Sequence, residues 1–223
     1  MKYIITLLIA LLASPALARE IVFAGGQSNA GNPEWGSGIE SVLGPIVLNY
    51  HFGDNMYWWA GDDGVRNQNY FDDLAKVQAV FQSGDSFSLL WFQGEGDASF
   101  AQTYLNWGTK FLQMIEFYKQ DLEVKEVDVA IVMIDLEFPP NQLWLDTVRD
   151  EQKTWPHIDS RGYPRVDGVH VTSAAARTLG IKVARRLRSP ILGVAQTVPE
   201  PSCLAMLIGF LLCGFRIFNG AQV

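Results

Sequence analysis

Ser28, Asp167 and His170 have the residue types and the settings that nucleophilic catalysis needs. Ser28 lies in Gly25-Gly26-Gln27-Ser28-Asn29-Ala30-Gly31, directly after the apolar run Ile21-Val22-Phe23-Ala24. A serine there occupies a tight turn after a strand, where glycines let the backbone bend sharply and leave room for a substrate. Amides opening the next element can stabilise an anion. A serine nucleophile needs a base, and the candidates are His51, His157 and His170. Of these, His170 has an aspartate three residues before it, in Asp167-Gly168-Val169-His170. A carboxylate so placed can hold one ring nitrogen, fix the tautomer and stabilise the imidazolium during proton transfer. His51 and His157 lack that spacing and read as structural or peripheral. A third element, Trp91-Phe92-Gln93-Gly94-Glu95-Gly96-Asp97, closes another apolar run. There the Gln93 side-chain amide and a glycine amide suit an oxyanion donor. The glycine-rich first turn has no Gly-Lys-Ser/Thr and no Gly-x-Gly-x-x-Gly, so neither nucleotide-binding fingerprint is met.

The elements that must position these residues follow from periodicity. Short apolar runs at 21–24, 45–50, 57–59, 86–92 and 127–134 read as strands, and 31–44, rich in Gly, Pro and Ser, reads as a loop. Helical spacing covers 70–82, a long amphipathic stretch at 98–122, then 141–155 and a last helix at 172–188 capped by Thr172 or Ser173. Strands alternating with helices predict a single three-layer α/β/α domain with a mainly parallel sheet. Such sheets bind ligands at the carboxyl ends of their strands, which is where the turns bearing Ser28, Gln93 and His170 fall. Aromatic faces stack on sugar rings, so Trp58 is a candidate substrate platform. Asp62 and Asp63 read as a solvated loop, not as a metal site.

The two ends have their own character. Residues 1–18 carry Lys2, an apolar run from Ile4 to Ala13 and Ala16-Leu17-Ala18. These are the ordered parts of a secretory signal cut by signal peptidase after Ala18, and the run is too short for a stable span. From Val198 the chain reads Val-Pro-Glu-Pro-Ser, then an apolar run from Cys203 to Phe215, then Arg216. This tail, 196–223, resembles the PEP-CTERM sorting signal. The resemblance implies export from a Gram-negative bacterium, handling by an exosortase-type enzyme and transient anchoring at the inner membrane. The domain between, 19–195, has no cysteine, since Cys203 and Cys213 both lie in the tail. It therefore has neither a disulfide framework nor a thiolate nucleophile. The two ends inflate the 48% hydrophobic content, and a net charge of −7 excludes sequence-independent nucleic-acid binding.

Four segments in order, Gly26-Gln27-Ser28-Asn29, Trp91 to Asp97, Val148-Arg149-Asp150-Glu151-Gln152 and Asp167-Gly168-Val169-His170, together resemble the SGNH hydrolases. Within that superfamily they are most similar to carbohydrate esterase family 6 and the sialate O-acetylesterase-like branch. The resemblance implies Ser28 as nucleophile, His170 as base, Asp167 as its orienter, and the Ser28 amide with Gln93 in the oxyanion hole. It assigns Arg149 and Gln152 to structural support on one helix face. It also implies a further oxyanion glycine before the helix near Tyr70, where Gly64 stands in place of the family's Gly-Pro-Glu turn. Gln27, Asn29 and Glu95, carried in the same motifs, are candidate substrate contacts. The expected activity is removal of acetyl or a small acyl group from carbohydrate, without metal or organic cofactor. Two other readings remain open. One is a non-catalytic polysaccharide-binding envelope or matrix protein on the same fold, and the other is an esterase for non-sugar esters.

Overall fold

The computed structural model describes residues 18–189. The segment 196–223, expected to be a sorting tail, and all but the last residue of the expected leader lie outside them. Five strands, β1 (Glu20–Gly26), β2 (Val47–Leu48), β3 (Ser86–Phe92), β4 (Val127–Met133) and β5 (His157–Asp159), form one sheet in the order β2-β1-β3-β4-β5. Every neighbouring pair is parallel. Helices α1 (Pro33–Leu43), α2 (Gln68–Gln78), α3 (Trp107–Asp121) and α4 (Gln142–Gln152) supply the crossovers, and α5 (Ser173–Arg188) follows β5. This is the α/β/α architecture that the alternating pattern predicts.

Side-chain alternation splits the core between the two sheet faces. Ile21 and Phe23 of β1, Leu89 and Trp91 of β3, and Val129 and Ile131 of β4 pack toward α2, α3 and α4. Val22, Ala24, Leu90, Phe92, Ala130 and Val132 pack toward α1 and α5. Both faces are apolar, so these strands read as continuous hydrophobic runs. On the second face α1 and α5 cross at glycines. A Cβ on Gly38 would lie 2.3 Å from the Arg177 carbonyl oxygen, and one on Gly180 would lie 2.3 Å from that of Trp35.

Several local expectations are corrected. The segment 31–44 is not a loop, because 33–43 is helix α1. Its signals are an Asn32 side chain accepting from the Glu34 amide, Pro33 at the first turn, and buried Trp35 and Ile39 on one face. Gly36, Ser37 and Gly38 hid them. Residues 57–59 form no strand: 56–58 is a 3-10 turn capped by Asn55, which accepts from the Tyr57 amide. The stretch 98–122 is regular helix only from Trp107, after two 3-10 turns at 97–99 and 104–106. β2 is shorter than 45–50, and β5 was not expected.

Candidate active site

Ser28 is placed by the bond between β1 and β3. β1 runs in register with β3 to the Gly26–Phe92 pair, and the Gln27 amide then donates to the Phe92 carbonyl at 3.0 Å. A Cβ on Gly26, whose φ is +137°, would lie 2.1 Å from that carbonyl oxygen, so only glycine fits. The chain then turns at once, with the Ala30 amide donating to the Gln27 carbonyl at 2.9 Å. Ser28 sits partly exposed at the apex of this turn, and its amide has no protein acceptor among the described residues.

His170 comes from a narrow loop before α5. The Val166 amide donates to the His170 carbonyl at 2.9 Å and the Thr172 amide to the Pro164 carbonyl at 2.9 Å. Asp167 folds the loop tip and orients the ring. One carboxylate oxygen accepts from the Val169 and His170 amides at 3.1 and 2.7 Å. The other lies 2.6 Å from His170 Nδ1. His170 Nε2 lies 2.8 Å from Ser28 Oγ. The His170 backbone amide, then its ring, then the Val169 amide hold the Asp167 carboxyl down at about 2, against a small opposing effect of burial. It is therefore an anion throughout the neutral range. The sequence-predicted Ser28, His170 and Asp167 are thus in one hydrogen-bonded chain, able to pass a proton from the hydroxyl to the ring.

Of the candidate substrate contacts from the same motifs, Asn29 borders the cleft over Ser28, whereas Gln27 and Glu95 do not line it. Gln27, Asn29 and Glu95 are buried, and their side chains bond to protein. The Gln27 amide oxygen accepts from the Gly94 and Gly96 amides at 3.0 and 3.1 Å, tying the Ser28 turn to the turn after β3. Asn29 donates to Glu95 at 2.7 Å. Burial pushes the Glu95 carboxyl up, against the Asn29 bond.

Gln93 is also corrected. Its Nε2 donates to Asp97 at 2.6 Å and to the Asp54 carbonyl at 3.3 Å, while its Oε1 accepts from Trp107 Nε1 at 2.7 Å. Both donor positions are occupied in the interior, so this side chain is a buried brace and offers no N–H to an oxyanion. Asp97 also accepts from the Met56 amide at 3.0 Å. Burial outweighs these hydrogen bonds and pushes the Asp97 carboxyl up to about 7. Gln152 donates to the Gln93 carbonyl at 2.7 Å and accepts from the Ile134 amide at 2.9 Å. Arg149 donates to the Ile134 carbonyl and to Asp159, so this helix face braces the ends of β3 and β4.

Gly64 and Trp58 do not line the cleft that opens over Ser28. Gly64 ends a 3-10 turn at 62–64, and Trp58, 47% exposed, stacks edge-on against Tyr57 beside Lys110 of α3. Asp62 pairs with Lys110. The cleft, about 390 Å³, is lined instead by Ser28, His170, Gly31, Tyr50, Phe52 and Val166 among others. Phe52 is 78% exposed and lies stacked over the His170 ring at 6.4 Å. Gly53 follows it with φ of +75° and an amide that has no protein acceptor among the described residues. The turn after β2 therefore borders the site through Tyr50 and Phe52, and Gly53 lies in that turn. The sequence carries little signal for this, because β2 ends at Leu48 and leaves no periodic pattern around Phe52. The loop is held from below by His51, which lies 3.0 Å from buried Asp73, itself bonded to Asn49 and to Trp59 Nε1. No sequence spacing pointed to that contact, because Asp73 lies on α2.

A parallel α/β/α sheet of this order, with its polar chain at the carboxyl edge, is the fold of the SGNH/GDSL hydrolases. A protein from Arabidopsis thaliana is 17% identical, covers 78% of this chain and 99% of its own, and superposes with a TM-score of 0.63. Est24, a carbohydrate acetylesterase from Sinorhizobium meliloti, is 12% identical over 76% of this chain and 98% of its own, with a TM-score of 0.53. A member of the lipolytic protein G-D-S-L family from Veillonella parvula is 14% identical over 79% and 100%, with a TM-score of 0.52. The family model described as carbohydrate esterase, sialic acid-specific acetylesterase matches residues 41–189, and the chain belongs to that family. The matched span contains Asp167 and His170 and begins after Ser28. No curated protein matches the chain.

Proposed function

We propose that the protein is an exported serine esterase that removes acetyl, or another small acyl group, from carbohydrate. The observation that carries this reading is the unbroken chain from Ser28 Oγ through His170 to Asp167, with contacts of 2.8 and 2.6 Å. Ser28 Oγ attacks the ester carbonyl carbon while its proton passes to His170 Nε2. The resulting oxyanion takes the Ser28 amide as one donor and the Gly53 amide as a second. His170 then returns the proton to the departing sugar oxygen as the carbon–oxygen bond breaks, leaving an acyl-serine. Water attacks that ester, again losing a proton to His170, and the carboxylic acid is released with Ser28 restored.

Family membership supports esterase chemistry on carbohydrate. The cleft supports a sugar as the leaving group, because Tyr50 and Phe52 present exposed aromatic rings beside Ser28. The leader and tail support an exported protein of a Gram-negative envelope, processed by signal peptidase and an exosortase-type enzyme. The deciding experiment measures acetate release from acetylated xylan, acetylated sialic acid and aryl esters of rising chain length. Preference for an acetylated carbohydrate, abolished by Ser28→Ala, is expected. A preference for long-chain aryl esters would overturn the carbohydrate assignment, and undiminished release by Ser28→Ala would overturn the mechanism.

A further inference from the structure

Ser28 and His170 belong to segments that no crossover joins directly, so something must fix one against the other to within a few tenths of an ångström. The Ser28 turn is anchored to β3 through Gln27. The His170 loop is folded on itself by Asp167. Between them stands Asn29, the residue after the serine, 3% exposed. Its Oδ1 accepts from the Val171 amide at 3.0 Å, and its Nδ2 donates to the Val169 carbonyl at 3.2 Å. One side-chain amide thus grips the backbone on both sides of His170. The second hydrogen of that Nδ2 goes to Glu95 Oε1 at 2.7 Å, which prevents the amide from rotating and exchanging its donor and acceptor ends. The other Glu95 oxygen is buried without a protein partner, so among the described residues the side-chain partner of this carboxyl is Asn29.

We propose that Asn29, locked in one orientation by Glu95, is the positioning residue that sets the contact between Ser28 Oγ and His170 Nε2. The proposal rests on the esterase reading and assigns neither residue a contact with substrate. Asn29 is suited to this by its two-ended amide: an aspartate would lose the donor, and a serine would be too short to reach both partners. Because Asp167 and His170 sit in one loop, loss of Asn29 moves them together and leaves their mutual contact intact. The damage falls on the serine–histidine distance, where a displacement of about 1 Å can cost about 100-fold in rate.

The experiment uses the intact chain and reads two quantities: the rate at which a fluorophosphonate labels Ser28, and kcat and KM on an aryl acetate. Asn29→Ala is expected to slow labelling by about 10- to 100-fold and to lower kcat equally, with KM within two-fold and a cooperative melt retained. Glu95→Ala should slow labelling less, and Glu95→Gln, which keeps an acceptor for Asn29, should recover most of that loss. Adding Glu95→Ala to Asn29→Ala should cost no further two-fold, because the anchor then holds nothing. Folded Asn29→Ala that labels at the wild-type rate overturns the proposal, as does Glu95→Gln no better than Glu95→Ala. Should Asn29→Ala fail to fold, Asn29→Ser carries the same test, since it adds no charge beside Glu95 and its hydroxyl is too short to hold both the Val169 carbonyl and the Val171 amide. Wild-type protein that resists the fluorophosphonate would instead bring down the underlying reading of Ser28 as nucleophile, and the proposal with it.

Discussion

Ser28 Oγ lies 2.8 Å from His170 Nε2, although 142 positions separate the two residues in the chain. The contact joins the turn at the carboxyl end of β1, an interior strand between β2 and β3, to the loop before α5. Because the hydroxyl, the ring and the carboxylate act as one unit, their losses should not add. Ser28→Ala and His170→Ala are each expected to cost about 10⁴-fold or more in kcat, and the double variant no more than either. Hydrolysis of an aryl acetate by the three variants checks this, and additive losses would show that the two residues act separately.

Asp167 is held as an anion down to about pH 2 by the hydrogen bonds it accepts from His170 and Val169. Its folded value lies below its ordinary one, so what it contributes is complete above about pH 4 and is lost only as pH falls toward 2. The acid limb of kcat/KM should therefore fall with the slope of a single protonation between pH 4 and neutrality, with Asp167 adding no second proton there. Asp167→Asn keeps an acceptor for the loop amides but turns an N–H toward the ring, favouring the wrong tautomer. A loss of about 10²- to 10⁴-fold is expected, with the melting temperature little changed. A second acid pKa above 4 in the pH–rate profile would contradict this account of Asp167.

The segments that were legible in the sequence were those whose pattern reports one local fact. Continuous apolar runs marked β1, β3 and β4, and an aspartate three residues before a histidine marked a folded loop. Helix α1 was hidden because its close approach to α5 requires Gly38, and glycine at that position reads locally as a loop. Gln93 was misjudged for a related reason. Its residue type suits an oxyanion donor, but its partners Asp97 and Trp107 are brought to it by packing behind the sheet edge. Exposure decides the role of Tyr50 and Phe52, and a short strand such as β2 leaves almost no pattern from which exposure can be read.

The buried bracing role of Gln93 separates two kinds of loss. Gln93→Leu leaves the buried Trp107 N–H without a partner, at about 1 to 3 kcal/mol, and takes from the Asp97 carboxyl one of its hydrogen bonds, at about 1 kcal/mol more, while the Met56 amide still donates to it. A fall in stability of roughly 3 kcal/mol, or about 6 to 12 °C in melting temperature, is expected. The folded protein should keep kcat within about ten-fold, whereas removing an oxyanion donor costs about 10²- to 10³-fold. A 10²-fold loss of kcat with an unchanged melt would restore Gln93 to the oxyanion hole.

Arg19 gives a test of processing at the leader. Its backbone nitrogen lies 3.2 Å from one Asp85 oxygen, and its guanidinium lies 2.7 Å from the other. Cleavage after Ala18 would turn that backbone amide into an ammonium beside the same carboxylate. Protein beginning at Arg19 should therefore melt higher than protein retaining leader residues. The advantage should shrink as pH rises past about 8, where an α-ammonium loses its proton, and Asp85→Asn should erase it. Equal melting of the two forms at pH 6 would show that the new terminus does not engage Asp85.

Asp97 should shape how stability varies with pH. Its carboxyl is buried behind the site, accepts from the Met56 amide and from Gln93, and is pushed up to about 7, with Glu95 adding repulsion. In the unfolded chain an aspartate releases its proton near pH 4. Between about pH 4 and 7 the folded protein therefore holds a proton that the unfolded chain has lost, so stability must fall as pH rises through that window. Glu95, shifted the same way by burial, adds to the slope. Asp159 and Asp167, held down at about 2, change stability only below the window. Asp97→Asn mimics the protonated carboxyl in shape and charge, so it should melt near wild type at pH 4 and above it at pH 7.5, with a flatter profile between. Thermal melts of both proteins from pH 4 to 8 measure this difference. Parallel profiles would mean that Asp97 is already ionised at pH 4 and that its hydrogen bonds, not burial, set its charge.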